Sequence, residues 1–433
     1  MRKTVAYAIS NIVQFKKAAL QWAQQFDEVT WLDSNKHTSN NYSSFDALLA
    51  VDGLTAFVTD ATNAFNEFKE YQATTKDWLF GYLSYDLKND VEHLYSDNCD
   101  RLLFPELYFY QPKKIIRIIG DTAEFIYLNM VEDEIEEDFK AISNLELLED
   151  KKKASKDIKI KLRIFKDEYF RKVNKMLQYI QRGDIYEANF CQEFYAEDTE
   201  INPLKVYNKF NTISKAPFAT YLKVQDKYVL SASPERYIKK QGCKLISQPI
   251  KGTAKRSKDE KEDNDLKDNL FLDEKERAEN IMIVDLVRND LSKSATKGSV
   301  KVEELCKVYS FEQVHQMIST VTAEISKEKN IVEVLKETFP MGSMTGAPKV
   351  SAMEIIEELE SFKRGVYSGA VGYITPEQDF DFNVIIRSIL YNATEKYVSY
   401  AVGGAITAKA IPEKEYEECL LKAKAMRQVL ENT

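Results

Sequence analysis

The lysine in the run Pro249-Ile-Lys-Gly-Thr253 has the surroundings that most invite chemistry. Between apolar Ile250 and a glycine, Lys251 is either an exposed strand residue, the commoner case, or a buried amine. Burial would lower its pKa and make the neutral amine a usable nucleophile. Ser231-Ala-Ser-Pro-Glu235 sets a carboxylate after a rigid proline turn, which in isolation reads equally well as a solvated hairpin residue. Glu415, Glu418 and Lys422, spaced three and four apart, share one helical face, as in a surface ion-pair stripe. Glu279 lies amid apolar neighbours on a second expected helix. Carboxylates from two helices plus a substrate carboxylate would suit Mg²⁺, which prefers oxygen ligands and retains waters. Arg387, within the apolar run Val384-Ile-Ile-Arg-Ser388, is costly to bury without an anion, so a bound carboxylate is its natural partner. In Phe339-Pro-Met-Gly-Ser-Met-Thr-Gly-Ala-Pro-Lys349, two glycines let backbone amides approach an anion at a helix N-terminus. Gly346 precedes Ala-Pro and not Lys-Ser/Thr, so this is no Walker A loop and a nucleotide site is not expected.

Regular elements must position these groups. Phe165, Phe170, Val173, Leu177 and Ile180 fall near helical spacing, and Gly183 follows as a C-cap. Further helices are expected over 273–288, 350–359 and 413–430. Strands are expected over 185–195, 218–224, 228–231, 237–239, 314–322, 367–374, 382–389 and 397–402. Strands without regular intervening helices predict antiparallel sheets with helices outside, an α+β arrangement. Residues 1–130 alternate short apolar runs (Leu48 to Val51, Trp78 to Tyr82, Leu107 to Tyr110, Ile115 to Ile119) with polar turns, forming an N-terminal lobe of the same unit with no catalytic motif. A charged connector over 131–160 carries an acidic run, Glu132 to Asp138, and a lysine-rich run, Glu149 to Lys156. Such runs are usually solvated helix faces or linkers. Residues 161–433 hold every group singled out above.

Among 433 residues, 44% are hydrophobic and 30% charged, a balance that supports a sizeable core. The formal charge of −9 argues against the basic surface that neutralises phosphates, so nucleic acid is not an expected partner. Five scattered cysteines without metal or redox spacing suit a reducing compartment. No apolar run reaches the ~20 residues of a membrane span, and Met1 to Asn11 lacks the apolar stretch of a signal peptide. A cytoplasmic protein without membrane contact is expected.

Taken together, several segments resemble the chorismate-utilising enzymes: anthranilate, aminodeoxychorismate, isochorismate and salicylate synthases. The matching stretches are Gly183-Asp-Ile-Tyr-Glu-Ala-Asn189, Ser233-Pro-Glu235, Pro249 to Thr253, Arg277 to Asp290, Gly342 to Lys349, Tyr367 to Tyr373, Ile386-Arg-Ser388 and Glu415 to Lys422. They follow the family's order over roughly residues 165 to 430. The resemblance implies a fold of two antiparallel sheets packed face to face with helices outside. It implies that Glu279 and Glu418 hold Mg²⁺ with Glu415 nearby, the metal taking the ring carboxylate of chorismate. Amides around Thr345, Gly346 and Ala347 would support that carboxylate. Tyr367 and Arg387 would bind the enolpyruvyl carboxylate, Lys422 would add positive charge, and Gly252 would line the substrate. Glu235 would protonate the departing 4-hydroxyl.

By resemblance, position 251 separates the members: Ala in anthranilate synthases, Lys in the aminodeoxychorismate-forming ones. Its amine would attack ring C2 as the 4-hydroxyl leaves, and ammonia would then add at C4 and expel it. The water-activating lysine of isochorismate-type members aligns with Glu187, where aminating relatives usually carry Gln. Gln316 stands where the family usually has His three residues before Ser319, and His315 is one position off, on the opposite strand face. Ala405, Lys409 and Ala410 also depart from the family's last glycine-rich loop. The expected activity is amination of chorismate to 4-amino-4-deoxychorismate on the way to 4-aminobenzoate and folate. Ammonia is expected from a separate glutamine amidotransferase subunit or from free ammonium, and pyruvate removal from a separate lyase. An anthranilate synthase large subunit is the nearest rival, and a non-catalytic chorismate-binding regulatory subunit the rival from another class.

Overall fold

The computed structural model describes residues 1–37, 42–92, 94–147, 158–312 and 314–431. Its strands form two antiparallel sheets. The first runs from Glu187–Ala196 through Tyr397–Thr407, Ser388–Asn392, Lys227–Ser233 and Phe218–Val224 to Glu28–Asp33. It continues into the first half of Ala47–Thr59, the second half of Leu107–Ile119, Thr122–Leu128 and Arg2–Ala8. The second runs from Leu79–Leu83 through Ala370–Ile374, Phe380–Val384, Arg236–Gln241 and Lys244–Gln248 to Val314–Glu324. Ile250–Lys255 and Lys301–Ser310 pair with the last of these.

Two 13-residue strands, Ala47–Thr59 and Leu107–Ile119, belong to both sheets. Their register shifts between Gly53 and Thr55, where the pair bends from one sheet into the other. The hydrogen-bond ladder is therefore continuous while the sheets face each other. Leu48, Ala50, Leu222, Val229 and Leu390 of the first meet Phe80, Tyr82, Tyr110 and Val371 of the second in a shared core. Outside the first sheet pack the helices Ile12–Trp22, Ile135–Ser143, Pro203–Ser214 and Pro412–Glu431. Outside the second pack Ala64–Thr75, Glu274–Ser294 and Ile331–Thr338. Lys166–Arg182 and Lys349–Leu359 cover the edge strand Glu187–Ala196. This is the expected α+β architecture, and strands from residues 1–130 are interleaved with later ones in both sheets.

Several expectations are corrected. The single strand over 382–389 is two strands, Phe380–Val384 and Ser388–Asn392, because the chain crosses between sheets at Ile385 to Arg387. The strand over 367–374 begins only at Ala370; Tyr367 sits in the preceding turn, its amide bonded to the Arg364 carbonyl at 3.0 Å. The helix Glu260–Leu272 has few apolar residues and so carries no helical pattern in the sequence. The acidic run is not simply a solvated face: Glu134 and Asp138 both bind the buried Lys114, Asp138 at 2.6 Å. The lysine-rich run 149–156 lies outside the described residues.

Candidate active site

Two crossings between the sheets create the centre of the site. In one, Ser233 to Arg236, the chain leaves the first sheet for the second and presents Glu235. In the other, Val384 to Ser388, it returns and presents Arg387. The crossings are bonded to each other's partners: the Val384 amide donates to the Glu235 carbonyl at 3.1 Å, and the Ala232 amide to the Arg387 carbonyl at 3.0 Å. Arg387 adopts φ +49°, a left-handed conformation that costs a non-glycine residue about 1 kcal/mol or more. Its guanidinium has no hydrogen-bond or ion-pair partner among the described residues, although Tyr367 and Glu418 are close enough to act on it.

Lys251 lies on the short strand Ile250–Lys255, pressed against the helix Glu274–Ser294. Gly252 has φ +87°, and a Cβ there would stand 3.2 Å from the Glu276 carboxylate. Asp273 caps the helix by accepting from the Glu276 amide at 3.0 Å, which fixes Lys275, Glu276 and Glu279 in its first turns. From the other side, Pro412–Glu431 supplies Glu415, Glu418 and Lys422. Lys422 pairs with Glu418 at 2.7 Å and donates to the Gly403 carbonyl at 2.9 Å. Lys275 spans the two helices, 3.7 Å from Glu279 and 3.9 Å from Glu415.

The floor is the segment Gly346–Ala347, paired with Ala188 and Glu187. A Cβ on Gly346 would meet the Glu187 carbonyl at 2.2 Å, so only glycine allows this approach. Thr345 is anchored by its hydroxyl, which donates to the Gly342 carbonyl at 3.1 Å, and by its own carbonyl, which accepts from Asn189 at 2.8 Å. Tyr367 is buried, its hydroxyl 3.8 Å from the Cys191 thiol.

These groups share one electrostatic environment. Burial pushes the Glu235 carboxyl up to about 7, against a Ser343 hydrogen bond and the Lys251 charge, both of which favour ionisation. Burial also raises Glu187, countered by Lys251 and reinforced by Glu279. Glu415 is raised by burial and by the neighbouring Glu418. Burial acts the same way on Glu418, but Lys422, Lys275 and Lys251 outweigh it and hold that carboxyl below its usual range. Burial lowers the Arg387 guanidinium, which a bound anion would restore.

The structure thus couples Lys251 to Glu235, Glu187 and Glu418, Glu279 to Glu187 and Glu415, Lys422 to Glu418, and Arg387 to Tyr367 and Glu418, beside the segment Gly346–Ala347 that pairs with Ala188 and Glu187. Sequence reasoning passed over Glu276 and Lys275, and left Glu187 unassigned. The three-residue spacing of Glu276 and Glu279 was the available signal for the first. His315 turns away to Asp263 at 3.0 Å and Ser310 at 2.9 Å. Among the described residues no three metal-binding side chains converge tightly enough to cage an ion alone. The donor set is nonetheless hard oxygen from two helices, which fits Mg²⁺ completed by water and a substrate oxygen.

Known proteins resemble this chain along most of its length. A family model described as chorismate binding enzyme matches residues 27–428. An aminodeoxychorismate synthase component 1 of Bacillus subtilis is 32% identical over 390 residues, 87% of this chain and 80% of that protein. An anthranilate synthase component 1 of Aquifex aeolicus is 33% identical over 371 residues, 82% of this chain and 74% of that protein. A probable chloroplastic aminodeoxychorismate synthase of rice is 42% identical over 269 residues, 61% of this chain but only 30% of that protein. The crystal structure of anthranilate synthase component I from Streptococcus pneumoniae superposes with a TM-score of 0.78 at 24% identity, covering 88% of this chain and 91% of that one. At that identity the likeness speaks for the fold alone.

Proposed function

The chain belongs to the chorismate binding enzyme family, and from that premise we propose that it aminates chorismate at C4 to give 4-amino-4-deoxychorismate. The observation that carries this reading is Lys251, which makes no hydrogen bond or ion pair among the described residues. Its charge nevertheless reaches Glu235, Glu187 and Glu418. An amine facing an acid whose pKa is about 7 suits a displacement that needs a nucleophile and a proton donor together.

In this reading Arg387 and Tyr367 hold the enolpyruvyl carboxylate, and the floor at Thr345 to Ala347 supports the ring carboxylate. Glu279, Glu415 and Glu418 would hold Mg²⁺, which supplies positive charge for that ring carboxylate. The Lys251 nitrogen attacks C2 through its lone pair while Glu235 protonates the departing 4-hydroxyl, which leaves as water. Ammonia then adds at C4 and the Lys251 amine departs from C2. Two allylic displacements return the double bonds to their places and leave nitrogen on the carbon that held oxygen. A glutamine amidotransferase subunit is the proposed ammonia source, and a separate lyase the proposed consumer of the product in 4-aminobenzoate and folate synthesis.

Relatives named anthranilate synthase match about as well as those named aminodeoxychorismate synthase, so product identity is the test. Incubation with chorismate, ammonium and Mg²⁺ should yield a non-fluorescent aminated product that becomes 4-aminobenzoate only when a lyase is added. Prompt anthranilate fluorescence without a lyase would overturn the reading.

A further inference from the structure

The connection from the helix Lys349–Leu359 to the strand Ala370–Ile374 carries a guanidinium with no part in the reaction proposed above. Arg364 is 2% exposed and its partner Glu360 5%. They pair side by side, Nε donating to Glu360 Oε2 at 2.8 Å and Nη2 to Oε1 at 2.6 Å. The other donors reach beyond the pair. Nη1 donates to the Met344 carbonyl at 2.7 Å, with the Ser368 hydroxyl at 3.5 Å, and Nη2 to the Asn189 carbonyl at 2.7 Å. All five N–H groups of the fork are thereby used. Tyr85 closes the space, its ring centre 4.5 Å from the guanidinium carbon.

These bonds join the elements assigned to the two carboxylates of chorismate. Arg364 holds the floor directly at Met344 and, through Asn189, at Thr345, whose carbonyl accepts from the Asn189 amide at 2.8 Å. A trans peptide points its carbonyl and the following amide opposite ways, so this grip also sets the aim of the Gly346 amide. The Arg364 carbonyl accepts from the Tyr367 amide at 3.0 Å. The Ser368 amide donates at 2.9 Å to the carbonyl of Ile385, which precedes Arg387 in the crossing between sheets. Floor, Tyr367 and the Arg387 crossing therefore meet at one side chain and its turn. Net stability is a weak reason for that side chain, since a buried ion pair does little more than offset its own desolvation.

We propose that Arg364, held by Glu360, is a positioning residue that sets the spacing and aim of the two carboxylate subsites for chorismate. The inference rests on the carboxylate placement in the reading above, and not on the amination. A rigid ligand with two anionic groups gains both contacts only where the subsites match its spacing, and a shift of about 1 Å forfeits much of the gain.

The test is calorimetric titration of chorismate with Mg²⁺ present, alongside steady-state kinetics with ammonium. Arg364→Lys keeps a cation beside Glu360, but a single ammonium cannot span the carboxylate and both carbonyls. Its Kd and KM for chorismate should rise about 10–100-fold, with the KM for ammonium unchanged. A merely structural loss would lower the active fraction, and with it kcat, while leaving both chorismate constants as they were. Tyr367→Phe should cost less in the Arg364→Lys background than in the wild type, because the tyrosine is already displaced. Replacing Glu360 and Arg364 together by Met removes both charges at once, which buried pairs tolerate, and should raise the chorismate Kd as much. That double variant decides the matter should Arg364→Lys not fold. A chorismate Kd within about twofold of the wild type in either folded variant overturns the assignment, and so does an equal cost of Tyr367→Phe in both backgrounds. Because binding is read without turnover, a wild type that forms no aminated product sinks the amination reading alone, whereas an unchanged Kd in the variants sinks Arg364 alone.

Discussion

Replacing Glu235 by Gln should stabilise the protein at alkaline pH while removing its activity. Glu235 is 5% exposed, and burial carries its carboxyl from 4.5 to about 7. At about 1.36 kcal/mol per pKa unit, that difference corresponds to roughly 3.4 kcal/mol, an upper figure because local relaxation admits water. Between those two values the folded protein keeps a proton that the unfolded chain has lost, so stability falls as pH rises through that window and stays lower above it. Gln is neutral throughout, so it lacks this loss. Urea unfolding of the free proteins should therefore show Glu235→Gln and wild type nearly equal at about pH 4, with the variant ahead by up to ~3 kcal/mol at about pH 8. Loss of the proton donor should lower kcat by about 10²–10⁴. Two stability curves running parallel across this range would refute the claim that the fold spends stability to keep an acid here.

Other perturbations test separate parts of the account. Lys251→Met should abolish a chorismate adduct seen by intact-mass analysis of the quenched wild type. Because Lys251 holds the Glu235 carboxyl down, the same variant should move the stability transition of Glu235 to higher pH; an unmoved transition would mean the two groups do not face each other. Arg387→Gly should raise the KM for chorismate by about 10–100-fold, the loss of a charged hydrogen bond. It should also raise the unfolding free energy by about 1 kcal/mol, because the strained φ is relieved. Gly346→Ala should cost about 1–3 kcal/mol in thermal unfolding and weaken chorismate binding, since its Cβ would collide with the Glu187 carbonyl.

Much of the site was legible in the sequence because its residues sit in unusual local company: proline before Glu235, glycine after Lys251, two glycines around Thr345. The helices carrying Glu279 and Glu418 were readable from periodicity, and in the structure Asp273 caps the first of them. What sequence pattern missed are features that exist only between distant segments. Arg387 lay within an apolar run that reads as one strand, yet the run is shared by two sheets, and the crossing between them is what exposes the arginine to the site. The aromatic and apolar residues that follow Tyr367 read as strand, whereas the turn at Gly365 (φ +53°) sets the tyrosine beside Cys191. The two 13-residue strands that bend from sheet to sheet appeared only as separate apolar runs, since a register shift has no local signature. Glu187 stood out as a departure from the relatives, but its burial and unpartnered oxygen come from strands remote in the chain, Gly346–Ala347 and Tyr397–Thr407.

The central claim is that nitrogen replaces oxygen at C4 of chorismate. Isotope-labelled ammonium, supplied with chorismate and Mg²⁺ and followed by nuclear magnetic resonance of the product, reports directly on the labelled bond. The account predicts coupling of the label to C4 with the enolpyruvyl group still attached. Label on C2, or a product already stripped of pyruvate, would contradict it.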